Sequence, residues 1–170
     1  AGEITVDNLK DGTTYVIAVA ASNKEVYSEV KSIEMATDKD LSGPAVFDRQ
    51  VAGGYYGIPE GGRYGEYLVI VADGEAVGAD GVYATIGAGR TMSLNLYQFA
   101  PTNMNNIVLP DRTYKYATNK SISTFHPAKT FCMVNDGKGN ITKVEFKAGT
   151  IVVTKSGSTF TVKATLTTTD

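Results

Sequence analysis

Apolar and polar residues alternate along most of this chain with a period of two, and helix-period signal is weak throughout. The segment "TTYVIAVAAS", residues 13–22, sets Tyr15, Ile17, Val19 and Ala21 against Val16, Ala18 and Ala20. Both sides are apolar or small, which predicts a central strand covered on both faces. Before it, "EITVDNL" predicts a short strand with Ile4 and Val6 on one face and Leu9 closing it. "KDGTT" predicts a turn in which Asp11-Gly12 supplies a positive φ. After it, "VKSIEMATD" alternates again, with Val30, Ile33 and Met35 as its apolar positions.

The polar stretch "TDKDLSGPAV", with Gly43-Pro44, predicts a boundary. The chain is therefore read as strands in residues 1–37, a linker at 38–44 and a second domain at 45–170. In that domain "FDRQVAGGYYG" suggests one helical turn and then a strand toward Tyr55-Tyr56, and "GEYLVIVAD" predicts a strong strand. "EAVGADGVYATIGAGR" reads as a glycine-rich connection with room for a short strand. "TMSLNLYQFAP" predicts a strand with Met92, Leu94 and Leu96 on one face and Ser93, Asn95 and Tyr97 on the other. "NIVLPDRTYKYAT" holds a Pro-Asp turn and a short strand. "TFCMVN", "GNITKVEF", "GTIVVTKS" and "STFTVKATLTT" follow as a meander, its turns predicted at "NDGKGN", "KAG" and "KSGS".

Residues 3–36 resemble the last three strands of a fibronectin type III domain. The carrying pattern is Leu-x-x-Gly-Thr-x-Tyr, here Leu9, Gly12, Thr13 and Tyr15, with the small-residue run and the closing "MAT". Asp11 stands where that family often has Pro. The resemblance implies that Tyr15 is a tyrosine-corner residue. It also implies that Ile4–Val6 belongs to the opposite sheet, so residues 29–36 pair with residues 13–22 on one side only. A central strand needs partners on both sides. The native product is therefore expected to extend further at its N-terminus, or another chain is expected to complete the sheet. Residues 45–170 resemble a β-sandwich domain of surface lipoproteins from gut Bacteroidota, on "YYG", "YLVIVAD", "MSLNLYQFAP", "LPDRTYKY" and "VEFKAGTIVVTKSGSTFTVKATLTTTD". In that group one more strand usually follows the segment ending here at Asp170. The fold class expected is all-β: an incomplete fibronectin type III-like sandwich, then a second antiparallel β-sandwich.

Composition narrows the function. Of 170 residues, 16 are Lys or Arg and 18 are Asp or Glu, for a net charge of −2. That balance argues against nucleic acid, which needs a clustered basic surface, and against polybasic membrane docking. No apolar run reaches the roughly 20 residues of a membrane-spanning helix. The one cysteine, Cys132 in "FCMV", rules out an intrachain disulfide and a zinc site built on thiolates; it reads as a small buried hydrophobe.

Candidate chemistry is sparse. His126, the one histidine, precedes Pro127 and reads as a loop residue, with no Gly-x-Ser-x-Gly for a nucleophile elbow. "GAGR", Gly87 to Arg90, lacks the third Gly and the Lys of a phosphate loop. "NDGKGN" lacks calcium-loop spacing and reads as a hairpin turn. Glu60, Glu66 and Asp73 lie in or beside loops, where a carboxylate pair for glycoside hydrolysis cannot be recognised from sequence. The notable cluster is aromatic. Tyr55, Tyr56, Tyr64 and Tyr67 fall within "GGYYGIPEGGRYGEY", and such rings can stack on sugars while Arg63 and Glu60 meet hydroxyls.

The expected function is non-enzymatic: an extracellular binding or adhesion module on the outer face of a bacterial outer membrane. Its expected ligand is a glycan or another surface polymer, with Tyr55, Tyr56, Arg63, Tyr64 and Tyr67 as the platform. No cofactor or metal is expected, and membrane attachment only through a lipid anchor on a preceding segment. The alternative is a structural spacer or assembly subunit, and a hydrolase is a third reading.

Overall fold

The computed structural model describes residues 5–10, 12–23 and 26–169. The fold is all-β, with several sheets. Among the described residues the one helical segment is a 3-10 turn, Pro127–Lys129. The chain divides into two compact units, Ala1–Pro44 and Ala45–Asp170.

The first unit holds β1 (Thr14–Val19), β2 (Ser22–Asn23), β3 (Val26–Tyr27) and β4 (Lys31–Ala36). β1 and β4 form an antiparallel pair that runs from Thr14 opposite Ala36 to Val19 opposite Lys31. This register sets Tyr15, Ile17, Val19, Ile33 and Met35 on one face. The turn before β1 is tied down from both ends. Lys10 N–H donates to the Tyr15 hydroxyl (2.8 Å), and the Thr37 hydroxyl donates to the Lys10 carbonyl (2.7 Å) while accepting from Thr13 N–H (3.0 Å).

The expectation of a covered, central β1 is corrected within this chain. Among the described residues β1 has one ladder partner, β4. Val16 is 70% exposed and Ile33 60%. Two strands cannot cover both faces of either one, so apolar residues on both sides remain in solvent. The short strand around Val6 does not form in residues 5–10, and Ile4 and Asp11 lie outside the described residues.

The second unit holds β5 (Arg49–Tyr55), β6 (Gly65–Ala72), β7 (Ala76–Ala79), β8 (Val82–Thr85), β9 (Gly89–Gln98), β10 (Arg112–Tyr116), β11 (Thr124–Phe125), β12 (Phe131–Asn135), β13 (Ile141–Ser156) and β14 (Thr159–Thr168). One sheet joins all of them except the β7–β8 hairpin. β9 pairs with β6 along one edge and with β11 and then β12 along the other. β10 is wedged between β11 and the second half of β13, and β14 runs along the far edge of β13. The sheet curls so that Tyr67, Leu94 and Leu96 meet Tyr114, Phe125, Ile151 and Val153 in one core. Met92, Leu94 and Leu96 share the inward face, as the alternation predicts.

Three expectations change. Residues 45–48 carry no helical turn; β5 starts at Arg49. The glycine-rich connection is the β7–β8 hairpin, closed by Asp80 (φ 53°) and Gly81 (φ 81°), the two positive φ values of a tight hairpin turn. The "KAG" segment is no turn. β13 runs through it with a β-bulge between Phe146 and Ala148, and Gly149 takes φ 138°. A Cβ there would lie 2.3 Å from the Thr165 carbonyl oxygen, so the position needs glycine twice over. The bulge resets parity, so Val144 and Phe146 before it share a face with Ile151 and Val153 after it.

Core and surface positions should respond differently. Leu96 is fully buried, and Leu96→Ala should lower the unfolding free energy by about 2–5 kcal/mol. Val16→Ala should change it by less than about 0.5 kcal/mol. Urea unfolding of the two variants checks this; a Leu96→Ala loss below about 1 kcal/mol would contradict the core described above.

Candidate functional site

The five residues of the aromatic platform do not share one surface. Tyr55 and Tyr67 are cross-strand partners on the inward face, with ring centroids 5.0 Å apart. Tyr67 is buried and its hydroxyl donates to the Phe99 carbonyl at 2.9 Å. The Tyr55 ring lies over Gly65, where an added Cβ would come within 2.3 Å of it. Both tyrosines therefore belong to the core. Tyr64 is half-buried, edge-on to Phe99 at 5.6 Å, and Arg63 is exposed in the loop beside it. Tyr56 follows Tyr55, so alternation turns it to the outward face, where it is 67% exposed.

On that outward face a different site assembles. Tyr56 N–H donates to the Glu66 carbonyl at 2.8 Å, and Glu66 lies opposite Tyr97 on β9. The next row holds Leu68 opposite Asn95, and the next Ile70 opposite Ser93. A pocket of about 530 Å³ opens over these rows. Asp80, Val82 and Tyr83 of the β7–β8 hairpin form one wall, and Ala128, Lys129 and Phe131 another.

The second wall exists because the strand opposite β9 is interrupted. Pro127 has no N–H to give to a ladder. The chain instead makes a 3-10 turn whose first N–H groups are capped by His126, with Nδ1 accepting from Ala128 N–H at 3.2 Å. Side chains replace the lost ladder bonds. Asn95 N–H donates to the Thr130 hydroxyl (3.0 Å), and the Ser93 hydroxyl donates to the Lys129 carbonyl (3.2 Å). His126 N–H still reaches the Asn95 carbonyl (3.1 Å). The turn lifts Lys129 over the sheet and above Glu66.

Glu66 is 8% exposed, in a strand rather than a loop. Its Oε1 accepts from Lys129 Nζ and from Asn95 Nδ2, each at 2.6 Å. The Tyr97 hydroxyl donates to Oε2 at 3.4 Å. Burial pushes the carboxyl up, but the Lys129 and Asn95 hydrogen bonds, the Lys129 charge and Tyr97 outweigh it. The net value lies below the ordinary 4.5. Burial and the Glu66 charge push the Tyr97 hydroxyl up to about 12, so it stays a donor. Burial and the Lys120 and Lys129 charges, against the pull of Glu66, lower the His126 pKa, which suits a neutral ring accepting at Nδ1.

The Asn95 orientation is set by Glu66, since the reverse would aim an oxygen at a carboxylate. That leaves Asn95 Oδ1 as the one fully buried side-chain polar atom without a hydrogen-bond partner among the described residues. Such an orphan in a pocket wall marks a place that the fold alone does not satisfy.

The other candidates have local duties. Asp73 accepts from Arg90 N–H (2.6 Å) and Nε (3.0 Å), holding the start of β9. Asp136 in "NDGKGN" accepts from the Lys138 and Asn140 backbones and from Asn140 Nδ2, the pattern of a closed hairpin turn. Burial raises the Cys132 thiol to about 11, which keeps it protonated and unreactive. Glu60 is exposed in the loop between β5 and β6. Among the described residues no group of three or more His, Cys, Asp or Glu side chains is placed to hold a metal ion.

Sequence reasoning left Glu66 among loop acids. The usable signal was its parity with Leu68 and Ile70 in "GEYLVIVAD": an acid on an otherwise apolar strand face. Lys129 carried no such signal, because its partner is 63 positions away.

Lys129→Met should raise the Glu66 pKa, because desolvation then loses its main opponent. A folded-state value below 4.5 means that ionised Glu66 contributes stability above that pH. That contribution disappears as pH falls through the folded value. Carboxyl NMR shifts followed against pH measure this, and an unchanged Glu66 titration in Lys129→Met would contradict the described pairing.

No protein-family model, no curated protein and no solved structure matches this chain.

Proposed function

We propose that the protein is a non-enzymatic extracellular binding module of a bacterial surface lipoprotein, and that its ligand is a glycan. The observation that carries the reading is the Glu66 pocket. A preorganised carboxylate, an ammonium and an amide converge beside an exposed tyrosine, over a floor of Leu68 and Ile70. Sugars present hydroxyl groups around an apolar C–H face, and this mixture of groups meets both. The platform thus moves from Tyr55, Tyr64 and Tyr67 to Tyr56 with Glu66, Asn95 and Lys129. The fibronectin type III likeness of residues 3–36 draws support from the Lys10–Tyr15 hydrogen bond, which is the bond a tyrosine corner makes.

One observation favours the second reading, a spacer or assembly subunit. Among the described residues β1 has a single ladder, and Val19, Ile33 and Met35 stand 46%, 60% and 51% exposed on one face of its sheet. An unpaired edge beside an apolar face is what strand addition by another chain uses.

Two experiments separate these readings. On a glycan array the wild-type protein should bind, and Tyr56→Ala should lose that signal while keeping its thermal unfolding midpoint. Silence across the array would remove the first reading. In sedimentation velocity, a concentration-dependent dimer that Ile33→Lys abolishes would favour the second, and a monomer at every concentration would remove self-association.

A further inference from the structure

We propose that the Glu66 pocket takes a neutral hexopyranose by two adjacent hydroxyl groups, one donating to Glu66 and its neighbour accepting from Lys129, with an apolar ring face on Tyr56. The inference rests on the glycan reading above and narrows it to one sugar class.

The argument is an inventory of unused bonding capacity. An ionised carboxylate offers about four lone-pair sites. Glu66 Oε1 receives two short bonds, whereas Oε2 receives only the 3.4 Å bond from Tyr97. Oε2 is the acceptor with unused lone pairs. Lys129 has three donors. One reaches Glu66, and the side chain is 57% exposed, so the others face outward. Nζ lies 2.6 Å from Oε1, and Oε2 is the other oxygen of that carboxylate, so the open acceptor and the Lys129 donors belong to one ion pair. A hydroxyl group both donates and accepts. Two on neighbouring ring carbons match such a pair, each in the role its partner requires.

Charge selects against the alternatives. Asp80 lines the same pocket, which then holds two carboxylates against one ammonium. A ligand carboxylate meets repulsion from both acids. A ligand ammonium at Oε2 meets repulsion from the Lys129 ammonium, which already sits 2.6 Å from the other oxygen of the same carboxylate. A neutral diol disturbs neither. The volume, about 530 Å³, suits a small ligand and leaves a chain of sugars to run outward past Tyr56.

The test is titration of the full chain, followed by amide NMR, with methyl glycosides of glucose, mannose and galactose. Single-deoxy analogues of whichever binds, the methyl glycoside of glucuronic acid and that of glucosamine complete the panel. We expect a neutral glycoside to bind. Removing either of two adjacent hydroxyls should weaken it about tenfold, the size of one hydrogen bond to a charged group. Lys129→Met and Glu66→Gln should each cost about as much. Lys129→Met changes a side chain that is mostly in solvent, so it carries the test if Glu66→Gln does not fold. Equal binding of every deoxy analogue, or tighter binding of the glucuronide or the glucosaminide at these residues, would overturn the diol and leave the glycan reading standing. If no glycoside on the panel or the array shifts the amides of residues 56, 66, 95 or 129, both fall together.

Discussion

Burial of β9 on both faces is the constraint on which the second unit turns. Its inward side chains are apolar and need only packing. Its outward ones, Thr91, Ser93, Asn95 and Tyr97, are polar or carry a polar tip, yet each is 3% exposed or less. Buried polar atoms are costly unless hydrogen-bonded. The covering segments are the ones that supply those bonds. The Thr91 hydroxyl donates to the Tyr83 carbonyl of the β7–β8 hairpin, and Ser93 and Asn95 bond the segment around Lys129. A polar layer inside the fold thus determines where its outer cover attaches, and the pocket is the space between those attachments.

Glu66 stands apart within that layer. A leucine at 66 would extend the Leu68–Ile70 face and remove the cost of desolvating a charge. Replacing buried ion pairs by apolar side chains is often neutral or stabilising. Its clamping by Asn95 and Lys129 holds it rigid and ionised, the condition that the proposed sugar site requires. The loose bond at Oε2 and the orphaned Asn95 Oδ1 sit beside one another in chain topology, one row apart across β6 and β9.

How much of this was legible in sequence depended on range. Alternation in "TMSLNLYQ" separates Leu94 and Leu96 from Ser93, Asn95 and Tyr97, and the structure keeps that division. It could not tell that the polar side is covered, because the cover comes from segments distant along the chain. "GGYYGIPEGGRYGEY" concentrates tyrosines in sequence, but adjacent strand residues point apart, so proximity along the chain placed Tyr55 and Tyr56 on opposite faces. "KAG" looked like a turn because glycine ends so many strands. The contrary signal was present: apolar positions pass from even numbers, Val144 and Phe146, to odd ones, Ile151 and Val153, which a bulge explains and a reversal does not. In residues 13–22 the two-sided apolar pattern describes a strand that wants two neighbours, and pattern alone cannot say whether both are supplied.

The bulge in β13 also governs errors of alignment. One unbroken backbone lends its first half to β12 and its second to β10, while β14 pairs with Phe146–Ser156 along its other edge. A hairpin slipped by one residue would turn Val162 and Leu166 outward and threonines inward. Gly149 lets the two backbones close up in the observed register, since a Cβ there would lie 2.3 Å from the Thr165 carbonyl oxygen and 2.9 Å from the Leu166 Cα. The close approach of β13 and β14 at the bulge therefore rests on a single absent methyl group.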